Sequence, residues 1–80
     1  LIGNLNLFPN PSQDGLFYFE GASNKSIQVN VYDRVGNQIY SRQQDLSEPI
    51  DLKDIQAGIY FLQLMDESGS FDHRKIQISK

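Results

Sequence analysis

The stretch that most constrains the fold is the apolar run over residues 56–65, which reads Gln-Ala-Gly-Ile-Tyr-Phe-Leu-Gln-Leu-Met. Gly58 precedes the apolar residues, and a turn-forming Asp-Glu-Ser-Gly sequence closes the run. A short apolar run with such borders is typical of a strand buried on both faces rather than of a helix. Alternation places Tyr60, Leu62 and Leu64 on one face. The run is therefore predicted to be the central strand of the domain.

The rest of the chain alternates between short apolar segments and turn signals. Ile27, Val29 and Val31 show the clearest period of two, which predicts a half-buried strand over residues 26–33. Further strands are predicted at residues 4–8, 16–20, 38–42, 50–52 and 71–78. Between them, loops are predicted at 21–24 and 43–49, and one helical turn at 53–55. About seven short, mostly antiparallel strands predict a small all-β sandwich.

Turn chemistry is concentrated at two places. Pro9-Asn10-Pro11 ends the first strand, because proline has no amide hydrogen to donate to a ladder. The following Ser-Gln-Asp-Gly sequence at 12–15 supplies turn residues before the second strand. Residues 33–37, Asp-Arg-Val-Gly-Asn, are predicted to form a tight hairpin turn with its glycine at positive φ.

Size, charge and composition exclude several classes of function. The 80 residues make one domain that buries roughly 60–65% of its unfolded surface, which leaves no room for a deep catalytic cleft. The absence of cysteine excludes disulfides, thiolate metal sites and thiol catalysis. A net charge of −3 argues against a nucleic-acid or anionic-membrane partner, and no segment is apolar enough to insert in a membrane. Because the chain begins at Leu1, we expect it to be part of a longer protein.

Candidate residues for chemistry are few, and each favours a structural interpretation. His73 is the only histidine and lacks the partners of a metal site or a catalytic triad, so it is predicted to be an exposed strand residue. Four carboxylates are candidate calcium ligands: Asp45, Glu48, Asp51 and Asp54. They lack the spacing and the glycine of a calcium loop, so we expect them to form a solvated acidic surface. Three cations near the C-terminus can limit edge aggregation or steer an acidic partner: Arg74, Lys75 and Lys80. No catalytic residue, metal or cofactor is predicted.

Four sequence blocks together cover nearly the whole chain. They are Leu-Asn-Leu-Phe-Pro-Asn-Pro at 5–11 with a glycine at 15, Val-Asn-Val-Tyr-Asp at 29–33 with a glycine at 36, Ile-Asp-Leu at 50–52 leading to Gly-Ile-Tyr-Phe-Leu-Gln-Leu at 58–64, and residues 75–80. In order and spacing they resemble the type A C-terminal sorting domain of the type IX secretion system. The residues that match its motif are Pro9, Asn10, Pro11, Gly15, Asp33, Gly36, Gly58, Tyr60, Leu62, Leu64, Lys75, Ile76 and Lys80. Asn37 stands where this family usually has lysine, and Phe8 where tyrosine is common.

The resemblance implies a fold, a role and partners. The fold of that family is a seven-stranded, immunoglobulin-like sandwich. Residues 1–80 would form a single non-catalytic sorting domain, covalently attached to the C-terminus of a cargo protein in a Gram-negative bacterium. The cargo would cross the periplasm and leave through the outer-membrane translocon for the cell surface or the medium. A surface sortase-like protease often removes such domains and can attach the cargo to lipopolysaccharide. Residues 75–80 are the best candidate for the surface that the machinery recognises.

Other interpretations stay open at this point. The needs of turns and core explain much of the motif, and this structural explanation is favoured over recognition. An immunoglobulin-like or fibronectin-like accessory module of a secreted enzyme, either a spacer or a carbohydrate binder, is the main alternative. A carbohydrate binder would need an aromatic platform, for which the candidates are Tyr18, Tyr32 and Tyr40. A small hydrolase dependent on His73 has the least support.

Overall fold

A computed structural model describes residues 5–20 and 25–80 as seven strands. The strands are β1 (Asn6–Phe8), β2 (Leu16–Glu20), β3 (Ser26–Tyr32), β4 (Gln38–Asp45), β5 (Ile50–Asp51), β6 (Gly58–Asp66) and β7 (Phe71–Ile78). They form a four-stranded sheet in the order β4-β3-β6-β7 and a three-stranded sheet in the order β1-β2-β5. Every strand pair is antiparallel. The predicted all-β, immunoglobulin-like sandwich is confirmed.

The core lies between the two sheets and comes from alternate residues of each strand. Strand β3 contributes Ile27, Val29 and Val31, as its period of two predicts. The three-stranded sheet contributes Phe17 and Phe19 from β2. The other buried hydrophobic residues are Leu46, Ile50, Leu52, Leu62, Leu64, Ile76 and Ile78. Full burial of each large side chain stabilises the fold by about 1.5–3 kcal/mol, so this layer is the main source of stability.

Strand β6 has the predicted central position but not the predicted burial. It lies between β3 and β7, and its Leu62 side chain is buried in the core. The opposite face is partly open, because the three-stranded sheet packs on the Leu62 face: Phe61 is 45% exposed. The prediction of a strand buried on both faces was therefore wrong. An apolar run cannot show which of its faces a second layer covers.

Strand β4 extends further than predicted. It runs to Asp45, so the connection placed at residues 43–49 begins only after that residue. The error arises because this edge strand has few apolar residues, and ladder hydrogen bonds to β3 define it instead. Its one buried amide, Gln44, accepts from the Tyr40 hydroxyl at 2.9 Å and donates to the Glu48 carbonyl at 2.9 Å.

Smaller differences concern the ends of elements. The helical turn predicted at 53–55 is a hydrogen-bonded turn, in which the Ile55 amide donates to the Leu52 carbonyl at 3.0 Å. Of the strand predicted at 4–8, the described residues form a strand over Asn6–Phe8, and residue 4 lies outside the described residues, as does the loop predicted at 21–24. The described ranges contain no helix with the length and hydropathy that a membrane crossing requires.

Candidate functional site

The structure brings the matched motif residues to one end of the sandwich, apart from those in the core. Register sets this arrangement: Gly58 pairs with Ile78, and Tyr32 pairs with Phe61 next to the β3–β4 hairpin turn. Ser12, in the loop after β1, forms a parallel bridge with Ile78. Four motif residues are buried and have structural roles: Leu62, Leu64 and Ile76 in the core, and Gly15 in the turn before β2. The remaining ones belong to the loop, the hairpin turn, the start of β6, the end of β7 and the terminal Lys80 after it.

The first motif block forms the exposed loop after β1. Pro9 and Pro11 flank Asn10, and all three are exposed. Both prolines follow cis peptide bonds. Phe8, which replaces the tyrosine common in the family, is 47% exposed, and its ring centroid lies 5.9 Å from that of Tyr18. The substitution keeps an aromatic ring at the base of the loop.

This loop is hydrogen-bonded along the outer edge of β7. The Asn10 side chain donates to the Lys75 carbonyl at 3.0 Å and accepts from the Gln77 amide at 3.0 Å. The Ser12 amide donates to the Gln77 carbonyl at 2.9 Å, and the Ser12 carbonyl accepts from the Ser79 amide at 2.8 Å. We call these four hydrogen bonds the loop–strand contact. They join the first and last motif blocks, whose bonded residues stand 65 and 67 positions apart, into one surface.

A compact turn at residues 12–15 connects the loop to the start of β2. The Ser12 side chain is fully buried, and its Oγ accepts from the Gly15 amide at 3.0 Å and lies 2.8 Å from the Leu16 carbonyl. Asp14 accepts from the Leu16 amide at 3.0 Å and lies 3.0 Å from Ser12 Oγ. These two hydrogen bonds, the Leu16 amide first, lower the pKa of Asp14. Sequence reasoning recognised the turn residues but missed the burial of Ser12, for which spacing carries no signal.

Gly15 allows this turn to lie close to the backbone that follows β5, the neighbour of β2 in the three-stranded sheet. Its φ is +84°, and a Cβ placed on it would lie 2.6 Å from the Leu52 carbonyl oxygen. The Gly15 carbonyl also accepts from the Leu52 amide at 2.9 Å. The position therefore requires glycine for both conformation and space.

The hairpin turn is organised by one carboxylate. Asp33 Oδ1 accepts from the amides of Val35 at 3.0 Å and Asn37 at 2.9 Å, and Oδ2 accepts from the Asn37 side chain at 3.1 Å. The backbone hydrogen bond from Asn37 is the main cause of the lowered pKa of Asp33. Gly36 has a φ of +94°, which confirms the predicted positive φ. Asn37, a departure from the family pattern, thus stabilises the turn locally.

A cleft of about 310 Å³ joins the hairpin turn to the start of β6. It is lined by Asp33, Arg34, Val35, Ala57, Gly58, Ile59 and Tyr60. Tyr60 is half-buried against the core, and its hydroxyl donates to the Gln56 carbonyl at 2.7 Å. Val35, at the rim, is 81% exposed. The middle and third motif blocks thus share a partly apolar surface.

The basic residues near the C-terminus separate into two groups. Lys75 is exposed, and the Lys80 ammonium group donates to the Lys53 carbonyl. Arg74 instead pairs with Asp72 at 2.6 Å, with only 21% of its side chain exposed. Lys75 and Lys80 are therefore the terminal charges most accessible to a partner. His73 is exposed, as predicted.

The residues named for other functions are dispersed. Tyr18 lies on the outside of the three-stranded sheet, Tyr32 on the outside of the four-stranded sheet, and Tyr40 packs against the core. They form no common platform. Among residues 5–20 and 25–80, no three histidine, aspartate or glutamate side chains are grouped to hold a metal ion. Of the four carboxylates, Glu48 pairs with Arg42 at 2.8 Å, and the aspartates are exposed.

Comparison with known proteins assigns the chain to a family. Residues 6–79 match the family model described as a secretion system C-terminal sorting domain. The chain is also 29% identical over 79 residues to an endo-acting ulvan lyase of Formosa agariphila, a match that covers 95% of the chain. It spans 15% of the length of that relative. Since the family match contains all the motif residues except the terminal lysine, this chain belongs to the family of type IX secretion C-terminal sorting domains.

Proposed function

We propose that residues 1–80 are the non-catalytic C-terminal sorting domain of a larger cargo protein, recognised as a folded unit by the type IX translocon. The cargo passes through the periplasm and leaves across the outer membrane for the cell surface or the medium. The family match supports a sorting role, and the similarity to a small part of an ulvan lyase supports attachment to a larger protein. A surface sortase-like protease is the proposed second partner, acting after export.

The observation that carries this proposal is the loop–strand contact. Asn10 in the first block and Lys75 in the last block are far apart in the chain but hydrogen-bonded in the fold. Pro9, Pro11 and Lys75 are exposed next to this contact. A partner at this surface can contact both motif blocks at once only when the domain is folded. We therefore propose that the motif residues at this end carry recognition, while those in the core maintain the fold.

The test is export of a reporter. Residues 1–80 are fused to the C-terminus of a periplasm-targeted fluorescent protein, in strains with and without a working type IX translocon. We expect delivery to the surface or medium only in the competent strain, and none for the reporter that lacks the domain. Periplasmic retention of a folded fusion in both strains would contradict the sorting role.

A further inference from the structure

Strand β7 is an edge strand, and the outer backbone groups at its end are hydrogen-bonded to the loop after β1. From the carbonyl of Lys75 to the amide of Ser79, the groups that face away from β6 bond to Asn10 or Ser12. An unpaired edge would be a template for another strand. The loop after β1 covers this edge of β7, and its backbone forms one parallel bridge there, between Ser12 and Ile78.

This pairing limits how a partner can recognise the end of β7. Strand addition uses the free backbone groups of an edge, and here those groups become free only if the loop leaves. With the loop in place, the segment presents side chains instead, including the exposed Lys75 and Gln77. The loop–strand contact therefore determines in which form residues 75–80 are displayed.

We propose that Asn10 and Ser12 are positioning residues of the sorting signal: through the loop–strand contact they keep the outer edge of residues 75–79 covered, and the translocon recognises the end of β7 in this covered form. The inference rests on the proposed function and adds that the signal is composite and conformational. The contact joins residues 65 positions apart, so it is a tertiary contact of the folded domain. An unfolded domain lacks the signal even though its sequence is intact.

A graded set of variants opens the contact from both sides. Asn10→Ala removes two of the four hydrogen bonds, and Ser79→Pro removes the amide that donates to the Ser12 carbonyl. We expect Asn10→Ala to lower the ratio of docked to undocked loop about tenfold, and the double variant Asn10→Ala/Ser79→Pro to lower it about a hundredfold. Both side chains are exposed, so the sandwich core is left unchanged. Asn6→Ala is the matched control, because it removes an exposed side-chain amide on β1 that donates to the Glu20 carboxylate on β2 at 3.0 Å.

Two readouts on the same reporter fusion test the proposal. Hydrogen exchange at the Ser12 amide reports the opening of the contact, because its acceptor, the Gln77 carbonyl, is kept in every variant, and the amide of Val29 in the core reports global unfolding. We expect export to decrease in step with faster exchange at Ser12, while exchange at Val29 and the Asn6→Ala control remain unchanged. Unchanged or increased export with faster Ser12 exchange would overturn the proposal. Lost export with unchanged Ser12 exchange would also overturn it, since Asn10 would then be recognised directly. Failure of the unmodified fusion to leave the cell would instead contradict the sorting role itself.

Discussion

The turn at residues 12–15 and the hairpin turn at residues 33–37 share their chemistry but not their surroundings. In each, an aspartate accepts backbone amides and a glycine has positive φ. A Cβ on Gly15 would meet a backbone oxygen at 2.6 Å, whereas no described heavy atom lies within 4 Å of one on Gly36. The same Asp–Gly signature is therefore fixed against the core at one site and projects into solvent at the other. A motif residue can thus serve the fold in the first turn and stay accessible to a partner in the second.

The largest difference between the two turns is expected at their glycines. Gly15→Ala should lower the free energy of unfolding by about 3 kcal/mol or more, because it adds a backbone clash to an unfavourable φ. Urea denaturation of the purified domain measures the effect, with Gly36→Ala as the matched control. Equal losses in the two variants would mean that φ alone decides and that the contact with Leu52 is unimportant.

Ser12 tests whether the first turn is held by its buried hydroxyl. Ser12→Ala should cost about 1–3 kcal/mol, since the Gly15 amide and the Leu16 carbonyl lose a partner in a site closed to water. The exposed Ser47, in the turn after β4, provides a control in which alanine should change stability by less than about 0.5 kcal/mol. A near-neutral Ser12→Ala in thermal unfolding would show that water can replace the hydroxyl.

Sequence reasoning located both turns but could not distinguish them. Strand alternation, turn residues and the glycine of the hairpin were all predictable, because local periodicity and φ requirements are local properties. The burial of Ser12 depends on how the loop packs along β7, and the approach of Leu52 to Gly15 depends on the pairing of β2 with β5. No local pattern records either of these long-range contacts. For the same reason the matched motif includes Asn10 but did not predict that its side chain would meet the backbone of β7. Long-range contacts between exposed polar residues produce no periodic pattern in the sequence, so they cannot be predicted from it.

Gly36 should be the more tolerant of the two positions. Gly36→Ala is expected to cost about 1–2 kcal/mol from conformation alone, and Gly36→Asn less, because asparagine accepts positive φ more readily. Melting temperatures of the two variants give the comparison. If the asparagine variant melts no higher than the alanine variant, contacts of the added side chain, and not φ alone, lower the stability. The turn would then be less open than the space around Gly36 indicates.

The smallest expected effect is a pH dependence that each turn contributes separately. The folded pKa of Asp33 lies below its ordinary value of 3.8, chiefly because of the Asn37 amide, and that of Asp14 is lowered chiefly by the Leu16 amide. Between the folded and ordinary values the unfolded chain binds more protons, so stability rises with pH there. The contribution is complete above the ordinary value and is lost as pH falls through the folded one.

Replacing either aspartate should therefore flatten the acid side of the stability curve. Urea midpoints measured from about pH 2 to pH 6 should depend less on pH in Asp33→Asn than in the unmodified domain, and least in the double variant with Asp14→Asn. The two flattenings should add, because the turns share no hydrogen bond in the described structure. An acid limb unchanged in Asp33→Asn would show that the hairpin carboxylate keeps an ordinary pKa in solution. The hairpin turn would then be more loosely organised than its hydrogen bonds indicate, in contrast to the turn fixed by Ser12.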